Sequence, residues 1–536
     1  MAATEEWKAI SERAKAKLDD SIPPEWRLKP DMLPSEEGLN VTDIPFRSAI
    51  LTEHEIVITN SSAIDIVINI SHGTWKSVDV TRAFCKRASI AHQLTRCLTV
   101  TMFDSALKHA KELDDYYREN GHTIGPLHGL PVSLKDNFNI PGYPSSVGFC
   151  AWAEEPVQEE STIVAMLKDL GAVAYVKTNI PTAMMIAESV NNCYGRTVNP
   201  LNTSLTSGGS SGGESALITM HGSPLGVGTD IGGSLRIPAA CTGIFTLRPS
   251  QGRFPNFDAR SGMTGQEAVG SVHGPMAHSI ADLRLYAQTI CNAGPWLKDP
   301  KCLAIPWRDG QLKQKLKIGV LWNDGVCMPT PPVTRALKEV VEQLKKKGYE
   351  VIEWSPDGHA LATELLLKFF TADGGKSMKK ILDQCGEPFR PEMKGYETAQ
   401  DLGVHELWQL QDQRTKFAKM YLDRWAQSAG MDAILSPTTP YAAPKNGEFK
   451  WIGYTGIWNI LDYSAVSFPT GLYANKELDH AVAGYQALNQ YDTAQADYDA
   501  AAVHGMPVSL QLIAKRLQEE KILDIAERVV SDLTWS

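Results

Sequence analysis

SGGSSGGESALITMHGSPLGVGTDIGGSLRIPA, residues 207 to 239, is the stretch on which the reading of this chain turns. Across the 39 residues from Thr197 to Leu235 only Glu214 and Asp230 are charged, where a charged content of 21% would place about eight. The same window holds nine of the 42 glycines. A run this rich in glycine and this poor in charge is expected to be buried. Glycine lets the main chain turn sharply and approach other groups closely. Buried N–H groups need partners, and a bound anion or a developing oxyanion can be one. Two serine clusters, Ser210-Ser211 and Ser234, each follow a pair of glycines. The pattern is that of a site built from backbone amides and hydroxyls.

The flanks supply an α/β grammar. Gly129 to Lys135 reads as a short buried strand ending in a lysine. Ser161 is placed to cap a helix, TIVAMLKDL, that stops at Gly171 and leads into a strand from Ala172 to Val176. Downstream the alternation recurs. Leu316–Leu321 is strand-like, Thr334–Lys347 is helical and ends at Gly348, and Tyr349–Ile352 is again strand-like. Residues 355–410 read as helical, and Ala433–Leu435 and Met506–Ile513 as strands. Gln518–Val530 is a closing helix with Ile522, Ile525, Ala526, Val529 and Val530 on one face. Ser77 is expected to cap a helix carrying Val80, Ala83, Phe84 and Ala88. Residues 474–500 read as a polar surface excursion. With no repeat and no linker, the simplest account is one large α/β domain. It spans 71–536, and residues 1–70 form a helical extension packed on it.

Bulk properties narrow the function. The chain has 536 residues, 43% hydrophobic content and a net charge of −10. These describe an ordinary soluble globular protein with no basic face for nucleic acid. Nine cysteines are scattered singly, without a C-x-x-C or a Cys/His cluster. That pattern indicates reduced, mostly buried thiols in an intracellular protein and no metal site. The start, MAATEEWKAI, lacks the apolar core of a signal peptide, and Thr534-Trp535-Ser536 is no peroxisomal address. No uncharged apolar run approaches the roughly 18–20 residues of a membrane span. A cytoplasmic location without membrane contact is expected.

Several motifs compete. Gly208-Gly209-Ser210-Ser211-Gly212 satisfies the G-x-S-x-G nucleophile elbow, which requires a strand immediately before it. The preceding residues 199–204, NPLNTS, look like a turn. A phosphate loop lacks its lysine. In Thr229-Asp230-Ile231-Gly232-Gly233-Ser234, consecutive amides around two glycines suit an oxyanion hole beside the Ser234 hydroxyl. Asp230 and Arg236 suggest a buried pair holding that loop. Lys135 either snorkels to water or, if buried, becomes a neutral amine able to act as a base. His221, His273, His278 and His504 are the histidines nearest to completing a serine triad, and none lies in a motif that assigns it the role.

On these residues the chain resembles the amidase signature family, and most closely its fungal acetamidase-type members. The resemblance runs from about Glu53 to the closing helix. It is carried by GLPVSLKDNF around Lys135, by GGSSGGESAL and by GVGTDIGGSLRIPA. It implies a Ser–cis-Ser–Lys triad with Lys135 as base, Ser210 as relay and Ser234 as nucleophile. It also implies an oxyanion loop on Ile231, Gly232, Gly233 and Ser234, and a main-chain substrate contact at Met184. The implied fold is a mixed β-sheet sandwiched between helices. The implied activity is hydrolysis of carboxylic amides, small aliphatic ones such as acetamide first, with no metal or organic cofactor. A homodimer is common among such enzymes. Other amides, carbamates or esters remain open as substrates. The rivals are a glutaminase-type subunit of a transfer-RNA amidotransferase and a catalytically silent scaffold. Residues 355–500 are expected to shape the acyl pocket.

Overall fold

The charge-poor run contributes one inner strand, Leu225–Asp230, to an eleven-stranded mixed sheet. The computed structural model describes residues 6–34 and 38–534. The first five residues of the MAATEEWKAI start, and Trp535-Ser536 at the end, lie outside them. In chain order the strands are β1 (Leu98–Thr101), β2 (Pro131–Lys135), β3 (Val173–Thr178), β4 (Leu225–Asp230), β5 (Phe245–Arg248) and β6 (Val272–Ala277). They continue as β7 (Lys317–Val320), β8 (Glu350–Glu353), β9 (Ala433–Pro437), β10 (Ala465–Tyr473) and β11 (Pro507–Ile513). Their spatial order is β1-β3-β2-β4-β6-β5-β10-β11-β9-β7-β8. Parallel pairing is confined to β3-β2-β4 on one wing and β9-β7-β8 on the other, and antiparallel pairs join the wings. Helices cover the sheet, so the architecture is the expected single α/β domain with a mixed sheet.

Coverage explains the composition of the strands. Every residue of β2 and β4 is buried, as parallel strands with both faces covered should be. The amphipathic helices bury the faces that periodicity marks. Pro331–Lys346 buries Val333, Ala336, Leu337, Val340, Val341 and Leu344. Glu519–Asp532 buries Ile522, Leu523, Ile525, Ala526 and Val529, while Val530 is only half-buried. From the N-terminal helix Glu6–Asp20, Ile10, Ala14 and Leu18 join the hydrophobic cluster that lines the sheet.

Two local expectations are corrected. Ser77 is the first residue of the helix Ser77–Thr95, not its cap, because Lys76 holds that position. The free amides of Ser77 and Val78 are instead taken by the Asp114 carboxylate, at 2.6 and 3.0 Å, from the neighbouring helix Phe103–Asn120. A carboxylate at a helix N-terminus satisfies orphan donors and the helix dipole together. The turn-like residues before the first glycine loop contain a strand, Asn202–Thr206, paired with Val198–Asn199 in a small separate sheet. The excursion at 474–500 is mostly exposed and contains no helix or strand, as expected of a polar surface excursion, but it is anchored to the body of the fold. Buried Asp479 accepts two hydrogen bonds from Arg335, and buried Asp492 accepts the amides of Met328 and Leu488.

The helix Gly212–Thr219 packs closely enough on the sheet that one position excludes a side chain. A Cβ on Gly213 would stand 2.4 and 2.5 Å from the backbone N and O of Asn179 and 2.7 Å from the carbonyl of Cys97. Backbone cannot step aside as a side chain can. Gly213→Ala should therefore lower stability by about 1–3 kcal/mol or more, read as a shift of the urea midpoint. An unchanged midpoint would contradict this packing.

Candidate active site

Lys135 ends β2 and Asp230 ends β4, two adjacent parallel strands. The carboxyl ends of such strands are where open α/β sheets place their sites. Between them lie both glycine loops. The Lys135 side chain is 0% exposed. Its Nζ donates to Ser210 Oγ at 2.7 Å and to Thr229 Oγ1 at 2.6 Å. Among the described residues no carboxylate is hydrogen-bonded or ion-paired to it. Burial lowers its pKa to about 7 against the opposing pull of the Asp230 and Glu214 charges. The snorkelling alternative is thereby removed, and the amine loses its proton near neutrality.

The serines are brought together by the backbone. The Gly209–Ser210 peptide is cis. Ser211 N–H donates to the Ser234 carbonyl at 3.2 Å, and Ser211 Oγ bridges the Thr229 carbonyl and amide, each at 3.3 Å. Ser211 therefore ties the first glycine loop to the second. Ser210 points to the lysine, and Ser234, 9% exposed, faces the cavity. No hydrogen bond among the described residues joins Ser210 Oγ to Ser234 Oγ.

Asp230 organises the second loop. Its carboxylate accepts from Gly233 N–H at 2.9 Å, Leu235 N–H at 3.2 Å, Asn459 Nδ2 at 2.8 Å and both Nε and Nη2 of Arg236 at 3.1 Å. Burial alone would raise its pKa, but the Arg236 charge and hydrogen bonds, with Arg248 and Asn459, hold it down at about 2. Arg236 also reaches the Thr455 carbonyl and Gln511 Oε1. The pair read from sequence thus exists, and both side chains are fully buried. One consequence was not visible in the sequence. The Gly233 amide is spent on Asp230, so Ile231, Gly232 and Ser234 supply the loop's uncommitted N–H groups.

A cavity of about 410 Å³ opens over Ser234. Met184, Met185, Ile231, Gly232, Phe370 and Ile452 are among its walls. Met184 has a left-handed backbone (φ 61°), a conformation uncommon outside glycine. Phe370, Tyr396, Phe449 and Ile452, all within 355–500, line this cavity, although nothing in their sequence neighbourhood marks them individually. Thr229, the second hydroxyl on Lys135, was also missed. Its only signal is its place beside Asp230 on a strand aimed at the site.

The four histidines lie elsewhere. His273 Nδ1 meets the Tyr286 hydroxyl at 3.1 Å, and His278 Nε2 meets the Ile218 carbonyl at 2.7 Å. His221 stacks on His278 with ring centroids 4.2 Å apart, and His504 accepts the Lys476 amide. None bonds a serine of either glycine loop. A strand does precede G-x-S-x-G, but among the described residues no histidine bonds the elbow's serines, Ser210 and Ser211. Loss of the Asp230 carboxylate would leave the Arg236 charge buried and unpaired. Asp230→Ala should cost about 3–5 kcal/mol in chemical denaturation. A loss below about 1 kcal/mol, the range of exposed pairs, would show the knot to be dispensable.

A family model described as Amidase matches residues 79–523. An acetamidase of Aspergillus oryzae is 41% identical over 98% of this chain and 98% of its own length. An acetamidase of Emericella nidulans is 40% identical over 98% and 97%. Among solved structures, a fatty acid amide hydrolase superposes with a TM-score of 0.94 at 35% identity, covering 100% of this chain and 98% of that one.

Proposed function

This chain belongs to the amidase family and is a hydrolase of carbon–nitrogen bonds, and from that premise we propose a serine amidase working through Lys135, Ser210 and Ser234. The observation that carries the proposal is the 2.7 Å hydrogen bond from the buried Lys135 amine to Ser210 Oγ, beside the one loop serine that faces the cavity. Ser234 Oγ attacks the amide carbonyl. Its proton passes to Ser210, whose own proton passes to neutral Lys135. The N–H groups of Ile231, Gly232 and Ser234 receive the oxyanion, with Gly233 serving the loop through Asp230. The relay then returns a proton to the leaving nitrogen, ammonia departs, and water repeats the cycle on the acyl-enzyme. Met184 lines the acyl side of the pocket and presents its main chain to the substrate.

Small aliphatic amides are the first substrate reading, supported by the acetamidases that match this chain end to end. That near-complete match to acetamidases also disfavours an amidotransferase subunit. Among the described residues no helix is long and apolar enough to cross a membrane. A second reading rests on the cavity. About 410 Å³ falls in the roughly 300–1,000 Å³ range of pockets that enclose drug-sized ligands. Leu367, Phe370 and Tyr396 also border an adjoining groove. A larger apolar amide would fill this space better than a two-carbon one. Ammonia release across an amide series from acetamide to long-chain and aryl amides decides between them. A kcat/KM that falls as the acyl chain lengthens supports the first reading, and one that rises supports the second.

The relay makes its own predictions. Because Lys135 acts unprotonated and its pKa lies near 7, the acylation rate should rise with pH through neutrality and level off above it. A flat profile would exclude a lysine base. Lys135→Ala should impair an amide more than a matched activated ester, since only the amide nitrogen must be protonated as it leaves. A fluorophosphonate should label Ser234, and Ser234→Ala should abolish labelling. Ser210→Ala should slow it by roughly 10⁴ or more, as loss of a relay member does in related triads. An adduct mapped to Ser210 or Ser211 would refute the assignment.

A further inference from the structure

Beneath Lys135 lies a second buried ionisable group that the relay does not use. Glu214, on the helix Gly212–Thr219, is 0% exposed. Its carboxyl is held by hydroxyls rather than by a cation. Ser133 Oγ donates to Oε2 at 2.5 Å and Thr178 Oγ1 donates to Oε1 at 2.8 Å. Both donors belong to the strands that frame the lysine. Ser133 lies two residues before Lys135 on the same face of β2, roughly 7 Å along the strand, and Thr178 is the register partner of Lys135 on β3. The third neighbouring strand leaves space for the carboxyl. A Cβ on Gly226 of β4 would stand 2.1 Å from Oε2.

The surrounding hydroxyls satisfy this carboxyl in either protonation state. Ionised, it accepts from Ser133 and Thr178 while Ser223 donates to the Leu225 carbonyl at 2.9 Å. Protonated, its O–H donates to Ser133, Ser133 donates to Ser223 across 2.8 Å, and Ser223 keeps its bond to Leu225. Each group keeps a partner in both states, but the ionised state leaves no proton between the Ser133 and Ser223 oxygens, 2.8 Å apart.

We propose that Glu214 is a positioning residue for the reaction: its charge, held under β2 by Ser133 and Thr178, fixes the basicity of Lys135. A buried amine with no counter-charge would become too weak a base to take the proton of Ser210. Ionised Glu214 restores part of that basicity and stabilises the ammonium that forms as Ser234 attacks. Burial raises Glu214 to about 7, held back by its two hydroxyl donors and by Lys135, so the two groups titrate together around neutrality. The other groups facing them do not change charge there. Asp230 stays ionised, and burial keeps the Tyr175 phenol and the Cys85 and Cys97 thiols protonated. The inference rests on the reading of Lys135 as the base.

The test is the pH dependence of kcat/KM for acylation in the wild type, Glu214→Gln and Thr178→Val. Glutamine keeps the shape, donates to Ser133 and accepts from Thr178, but carries no charge. Without the charge the ammonium is less stable, so the acid limb should move to lower pH, by on the order of one unit. Thr178→Val removes one donor to the ionised carboxyl and should move the limb the same way by less, which decides the question if Glu214→Gln does not fold. A merely structural role would lower the rate without moving the limb. A limb that stays in place, or moves to higher pH, overturns the proposal for Glu214 alone. The absence of any acid limb in the wild type would instead overturn the lysine base.

Discussion

Removing the Lys135 amine from water is the constraint on which the site depends. In bulk solvent the amine would hold its proton throughout the neutral range, and no serine would find a base. The fold removes water by covering both faces of β2 and β4, which is why the chain from Thr197 to Leu235 carries so little charge. Desolvation alone would leave the amine's hydrogen-bonding capacity unmet. Ser210 and Thr229 meet it with hydroxyls, which can donate or accept as the proton moves. A carboxylate in the same place would have locked the amine as an ammonium.

The anions near the amine are accordingly kept at one remove. Asp230 is fully ionised, but its five hydrogen bonds point at the second glycine loop and at Arg236 and Asn459, not at the lysine. That arrangement uses one buried charge pair to fix a loop. A buried pair of this kind contributes little net stability, but breaking it is expensive, and here the return is geometric. With Gly233 N–H turned to Asp230, the remaining amides of the loop stay available. Thr455 Oγ1 secures the Gly232 carbonyl at 2.7 Å from the opposite side.

What the sequence made legible follows from the range of each interaction. The α/β class, most strands and the closing helix depend on periodicity and on glycine stops, which are local. The burial of Lys135 was one of two open readings, and only the packing of neighbouring strands settles it. Ser77 shows the limit of local rules. A serine before an apolar helical pattern looks like a cap, yet the capping group is Asp114, 37 residues away. The strand Asn202–Thr206 was hidden because Asn, Thr and Ser carry no alternating apolar signal, and its ladder partner is a strand of two residues. Thr229, Phe370 and Ile452 reach the site through tertiary contacts that no motif announces. Glu214 was visible only as an exception in an uncharged window. A lone charge in such a run has to be reckoned with chemically, because the chain bears its desolvation cost.

The same reasoning accounts for a relay of two serines where a histidine might stand. An imidazole needs room for its ring and a carboxylate to orient it, and that carboxylate would lie in contact with the base. Ser211 closes the gap between the two glycine loops through three backbone contacts, and Gly213 brings the following helix onto the backbone of Asn179. In the proposed relay the Ser210 hydroxyl would carry the proton from the cavity to an amine kept out of reach of water. Chain compactness, charge depletion and relay chemistry are therefore one requirement, a base kept dry and reached only through an oxygen.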